Sequence, residues 1–282
     1  MKKILYFLVF IYAIPLHSES HFIYKDIPYV SVTDKDFDQS KHILDVYVPR
    51  VKNKQTEVLV FIHGGKWVSG NKDMYNYIGV NFAEKGKAVV IINYRHSPDV
   101  KYEAMAMDCA NALKWVQGQI EYYGGDKNKI YISGHSAGGH LAALITVNNR
   151  FFDSLQIQNP IKGCVLIDAF GMDLHTYFTN DSKTKDFHEE FKDVFSNDSA
   201  SWKDASPIYF LKPGLPKFLL YVGDKTVPVI RKEVPMFHAA LIRSGNPAPL
   251  YILPNKKHLD MVIQFFDFRC EAVDTIIKFM QN

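Results

Sequence analysis

Five short apolar runs punctuate the middle of this chain: residues 57–62 (EVLVFI), 88–93 (AVVIIN), 130–133 (IYIS), 163–168 (GCVLID) and 217–222 (KFLLYV). Each is nearly continuous rather than alternating, the pattern of a strand buried on both faces. Helical spacing fills the intervals. Residues 73–85 end at Gly86, a C-cap residue, and residues 102–123 set Ala106, Ala110, Leu113 and Val116 on one stripe. Strands at 45–48 and 249–253, a helix near 231–244 and a last helix over 262–280 complete the series. Buried strands alternating with helices predict an α/β fold whose mostly parallel central sheet carries helices on both faces. Functional groups in such a fold gather on loops at the carboxyl ends of the strands.

The 282 residues suffice for one large domain, and a 47% hydrophobic content supports a sizeable core. Net charge is +3, from 33 basic and 30 acidic residues, which points to no polyanion partner. The clusters at 52–54 and 256–257 read as solvated loops, not nucleic-acid contacts. Cys109, Cys164 and Cys270 form no C-x-x-C pair, and the eleven histidines are scattered, so no metal site is expected. The first twenty residues differ: Lys2 and Lys3 precede an apolar run from 4 to 14, followed by a polar end with Ser18 and Ser20. This is the layout of a cleavable secretory signal peptide, too short in its apolar part to span a bilayer. The expectation is an exported protein, periplasmic or secreted, with residues 21–282 as a single domain. Within it, the long connection 171–214 has the length of a lid.

One pentapeptide carries the chemistry. Gly134-His135-Ser136-Ala137-Gly138 joins the run at 130–133 to a helix-like stretch, which is G-x-S-x-G in a strand–turn–helix setting. So sharp a turn needs small neighbours, and it lifts the Ser136 hydroxyl to the N-terminus of the following helix, where a developing anion is favoured. A serine nucleophile requires a base, an acid to orient the base, and donors for an oxyanion. His258, on the loop after the last strand, is the expected base. Asp224, following the strand at 217–222, is the expected acid, with Glu233, Asp260 and Asp168 as fallbacks; Asp168 reads rather as a brace of the fold. His63-Gly64-Gly65-Lys66-Trp67 follows an early strand. Its Gly64 and Gly65 amides, with that of Ala137, are the expected oxyanion donors, and the Lys66 amide is a substitute. Lys66, Trp67 and His135 are candidates for the substrate pocket.

These residues, with Asn93-Tyr94-Arg95-His96-Ser97-Pro98 and Tyr123-Gly124-Gly125-Asp126, resemble the α/β-hydrolase superfamily. More narrowly, they resemble its serine esterases with an H-G-G-x-W motif, a group of feruloyl-esterase-like carboxylesterases and kynurenine formamidases. The matching pieces span about residues 45–280. The resemblance implies an α/β-hydrolase fold with a helical lid insertion, a Ser-His-Asp triad and no cofactor. Relatives carry G-x-x-D after the acid's strand, and counting from Gly223 puts Thr226 at that position. Alignment on D-x-x-V-P selects Asp224 instead. The expected activity is hydrolysis of a small-molecule ester through an acyl-enzyme. Arylformamidase activity and ligand binding without turnover are the alternatives.

Overall fold

The computed structural model describes residues 20–50, 55–180 and 191–281. The expected signal peptide up to residue 19, the basic cluster at 52–54 and the middle of the expected lid lie outside those residues. Eight strands form one sheet in the order β1-β2-β4-β3-β5-β6-β7-β8. They are β1 (His21–Pro28), β2 (Ile43–Pro49), β3 (Thr56–Ile62), β4 (Ala88–Ile92), β5 (Gly125–His135), β6 (Ile161–Ile167), β7 (Lys217–Gly223) and β8 (Leu250–Leu253). The pairings β1·β2 and β2·β4 are antiparallel and the others parallel. The five apolar runs thus become the buried parallel centre, as their lack of alternation requires.

β1 is an edge strand that the sequence pattern hides. Most of its side chains are exposed, so no hydrophobic period marks it. A bulge at Lys25-Asp26 interrupts its pairing with β2. There the Asp26 amide bonds to Asp45, and Lys72 pairs with both carboxylates, at 2.7 Å to Asp26 and 2.9 Å to Asp45.

Helices cover both faces. α1 (Asn76–Glu84) and the C-terminal α5 (Glu271–Gln281) contribute to one hydrophobic cluster. α2 (Tyr102–Gln119), α3 (Ala137–Val147) and α4 (Pro228–Arg243) contribute to the other. The helix expected over 262–280 is broken. Asp267 takes the Arg269 amide on its carboxylate and the Cys270 amide on its carbonyl, each at 2.9 Å, which turns the chain before α5 begins.

In the connection 171–214, short helices at Leu174–Asn180 and Ser199–Asp204 are packed down by aromatic residues. Phe178, Phe191, Phe195 and Trp202 are all buried in the main core. All three cysteines are free thiols. Among the described residues no helix is long and apolar enough to cross a membrane, and no cluster of His, Cys, Asp and Glu is arranged to hold a metal ion.

Candidate active site

Ser136 stands between β5 and α3 at φ 55°, ψ −119°, a conformation that costs a non-glycine residue free energy. The turn is compressed from both sides. A Cβ on Gly134 would lie 2.3 Å from the Gly138 carbonyl oxygen, and one on Gly138 would lie 2.2 Å from that of Ile62. Both positions therefore demand glycine, and the hydroxyl of Ser136 is delivered to the head of α3.

His258 and Ser136 line the same cavity, of about 460 Å³. That volume falls within the usual range for small-molecule sites, about 300–1,000 Å³. Phe170, Phe191, Val229, Ile230, Met74 and Leu259 give the cavity an apolar wall. Lys66 also lines it.

The carboxylate that meets His258 is that of Asp168, not Asp224. Asp168 Oδ2 lies 2.7 Å from His258 Nδ1. The same carboxylate accepts the Gly223 amide at 2.9 Å and the Thr226 hydroxyl. Asp168 is fully buried and sits at φ 49°, just past the end of β6. Because a carboxylate acceptor claims Nδ1–H, the neutral His258 ring keeps an unprotonated Nε2. Asp224 is held elsewhere. Its amide bonds to the Leu253 carbonyl, its own carbonyl accepts from Arg231, and its buried Oδ1 has no partner among the described residues. Two residues on, the Thr226 hydroxyl reaches the carboxylate that follows β6.

The other fallbacks have local tasks. Asp260 accepts the Lys257 amide at 2.9 Å. Glu233, on α4, accepts the amides of Gly171 and Met172 at 3.0 and 3.3 Å. Burial pushes its carboxyl up to about 7, against the pull of those two amides.

The glycine loop also departs from expectation. The Gly64 amide donates to the Tyr75 hydroxyl at 3.2 Å, so it is not offered to the cavity. Among the described residues the Gly65 and Ala137 amides have no protein acceptor. Gly65 has φ 134°, open to glycine alone, and Lys66 and Trp67 follow at φ 55° and 62°. Three positive φ values in a row curl this loop around the head of the cavity.

Trp67 is not a pocket residue. It is fully buried; its indole N–H reaches His140 Nδ1 at 3.3 Å, and its ring meets Phe191 and Phe195 edge-on at 5.4 and 4.8 Å. It anchors the 171–214 connection to the glycine loop. His140 in turn donates from Nε2 to the Ala205 carbonyl at 2.7 Å. His135 lines the cavity, yet it is buried and bonded to Tyr75 and to the His258 carbonyl. Burial, with a smaller contribution from His258, lowers its pKa to about 3.

A doubly covered, mostly parallel sheet with a serine on the turn after its middle strand defines an α/β-hydrolase. The BD-FAE family model matches residues 44–241, and the chain belongs to that family. A probable isoprenylcysteine alpha-carbonyl methylesterase of Oryza sativa subsp. japonica is 26% identical, over 80% of this chain and 56% of its own length. The chain thus spans little more than half of that relative. A kynurenine formamidase of Salmo salar is also 26% identical, over 84% of this chain and 77% of its own. Among solved structures, a truncated carbohydrate esterase from gut microbiota superposes with a TM-score of 0.79 at 23% identity, covering 94% of this chain and 97% of that one. That likeness is one of fold.

Proposed function

We propose that this protein is a serine hydrolase of carboxylic esters acting through Ser136, His258 and Asp168. The observation that carries the reading is the 2.7 Å contact between His258 Nδ1 and the buried Asp168, beside the strained Ser136 in one apolar cavity. His258 Nε2 takes the Ser136 proton as the hydroxyl oxygen attacks the ester carbonyl. The Gly65 and Ala137 amides receive the tetrahedral oxyanion, and His258 then protonates the departing alcohol. Water, activated by the same imidazole, releases the acid and restores the serine. Asp168 holds the imidazole in the productive tautomer and stabilises the imidazolium. A carboxylate in that place also speaks against ligand binding without turnover.

Membership of the BD-FAE family and the names of the relatives support ester cleavage. The wall of Phe170, Phe191 and Ile230 suits an ester with an apolar arm. The salmon relative favours a second reading, arylformamidase, in which the scissile bond is a formamide. Export rests on residues 2–20 alone: a basic start, a short apolar run and a polar end.

Hydrolysis of p-nitrophenyl acetate by residues 21–282, run beside Ser136→Ala, tests the proposal. Saturable turnover that vanishes in the variant supports it. Equal background rates for both proteins, across longer esters as well, overturn ester hydrolysis; N-formylkynurenine in the same panel decides the second reading.

A further inference from the structure

We infer that Tyr75 and His135 form a hydrogen-bonded strut that fixes the glycine loop and the His258 loop relative to each other, which makes both positioning residues for the ester hydrolysis proposed above. Three contacts build it. The Gly64 amide meets the Tyr75 hydroxyl at 3.2 Å, that hydroxyl meets His135 Nδ1 at 3.3 Å, and His135 Nε2 meets the His258 carbonyl at 3.2 Å.

Donor logic gives the strut one polarity. A carbonyl only accepts, so His135 Nε2 carries the proton. Burial holds the ring neutral, so Nδ1 is a bare acceptor. Tyr75 therefore donates to Nδ1 and uses an oxygen lone pair for the Gly64 amide. Burial also raises the Tyr75 pKa, which keeps that proton in place. All three contacts are satisfied together in this arrangement.

Packing adds to the link. The His135 ring lies 4.5 Å from the His258 ring, tilted by 32°. A Cβ on Gly64 would fall 2.9 Å from the His135 carbonyl oxygen, 3.1 Å from Nδ1 and 3.3 Å from the Tyr75 hydroxyl. The glycine loop thus rests directly on the strut. Gly65 would receive the oxyanion and His258 the serine proton, so their spacing must hold while charge moves between them. Misplacement by about 1 Å costs on the order of a hundredfold in rate.

The test compares Tyr75→Phe, His135→Leu and His135→Gln. A glutamine amide presents a donor nitrogen and an acceptor oxygen, so it can stand in for the donor and acceptor nitrogens of the neutral imidazole. The strut requires kcat to fall about 10- to 100-fold in the first two, with KM changed by about threefold or less. It also requires the glutamine variant to recover most of the loss, and the double variant Tyr75→Phe/His135→Leu to be no slower than the worse single one. Values of kcat within about twofold of the parent in Tyr75→Phe and His135→Leu, or glutamine no better than leucine, overturn it. A second readout needs no turnover. In 15N spectra of histidine-labelled protein, His135 must remain the Nε2–H tautomer from pH 5 to 8. An Nδ1–H tautomer, or titration in that range, removes the strut even from an active enzyme. An intact tautomer in a protein without esterase activity overturns the hydrolase reading alone.

Discussion

Asp168 Oδ2 lies 2.7 Å from His258 Nδ1, and Thr226 hydrogen-bonds the same oxygen from the neighbouring strand end. The pairing of Ile167 with Tyr221 explains this convergence. It brings the ends of β6 and β7 side by side, so a carboxylate leaving either strand is within reach of one imidazole. In this chain the carboxylate that meets His258 comes just after β6, and Gly223 at the end of β7 and Thr226 beyond it supply the amide and hydroxyl that hold it.

Replacing Asp168 by asparagine should therefore lower kcat by about a thousand- to ten-thousandfold, the scale seen when a triad acid loses its charge and the histidine its tautomer. Asp224→Asn should stay within about threefold of the parent, because its carboxylate does not meet His258. Paired kinetics on p-nitrophenyl acetate decide the matter, and the reverse ranking would return the acid to β7.

The elbow is legible in the amino-acid sequence because everything that defines it is local. Gly134, Ser136 and Gly138 belong to a single turn, and their steric demands follow from spacing. The central strands are legible for a similar reason, since burial on both faces writes itself as an unbroken apolar run. The pairing of Asp168 with His258 is not legible, because which carboxylate meets the imidazole depends on which strand end faces it, a property of sheet pairing that no short motif encodes. Gly64 carries the motif of an oxyanion donor, but its amide is claimed by Tyr75, eleven residues away on the short 3-10 turn Lys72–Tyr75 that leads into α1. Trp67 has the sequence neighbours of a pocket residue, yet the three positive φ values turn it inward. Edge strand β1 has no hydrophobic period at all.

Thr226→Val keeps shape and removes the hydroxyl that Asp168 accepts. A buried carboxylate left short of a donor typically costs about 1–3 kcal/mol, so the urea midpoint should fall accordingly. The loss in kcat should be much smaller than for Asp168→Asn, since the Gly223 amide and His258 still hold the carboxylate. Thr226→Ser should restore the midpoint. A valine variant as stable as the parent would show that the hydroxyl contact contributes nothing net.

Glu233 gives stability a pH dependence with a definite sign. Its folded pKa of about 7 lies above the ordinary carboxyl value of 4.5. The folded state therefore holds a proton that the unfolded state releases between those values. Stability falls as pH rises through that window and levels off above it. The size is about 3 kcal/mol at most, the free energy that separates the two values. Glu233→Gln, which still accepts the Gly171 and Met172 amides, should match the parent near pH 4.5. It should exceed the parent in urea midpoint at pH 8. Parallel curves for the two proteins from pH 4.5 to 8 would mean that the carboxyl titrates normally.

The cavity wall sets the last expectation. Met74 and Leu259 line the cavity and are also 61% and 63% exposed, so apolar surface runs from beside Ser136 out to the rim. Each methylene of an ester chain buried along that wall contributes up to about 0.8 kcal/mol, or about fourfold in kcat/KM. Activity on p-nitrophenyl esters should thus climb from acetate through about hexanoate, by less than the full factor per carbon because the rim stays partly wet. Met74→Asp tests the path without disturbing the core, since its side chain is mostly in water already. It should leave acetate hydrolysis near the parent rate and flatten the climb with chain length. A chain-length profile that is flat in the parent, or equally steep in the variant, would place the ester's apolar arm somewhere other than along Met74.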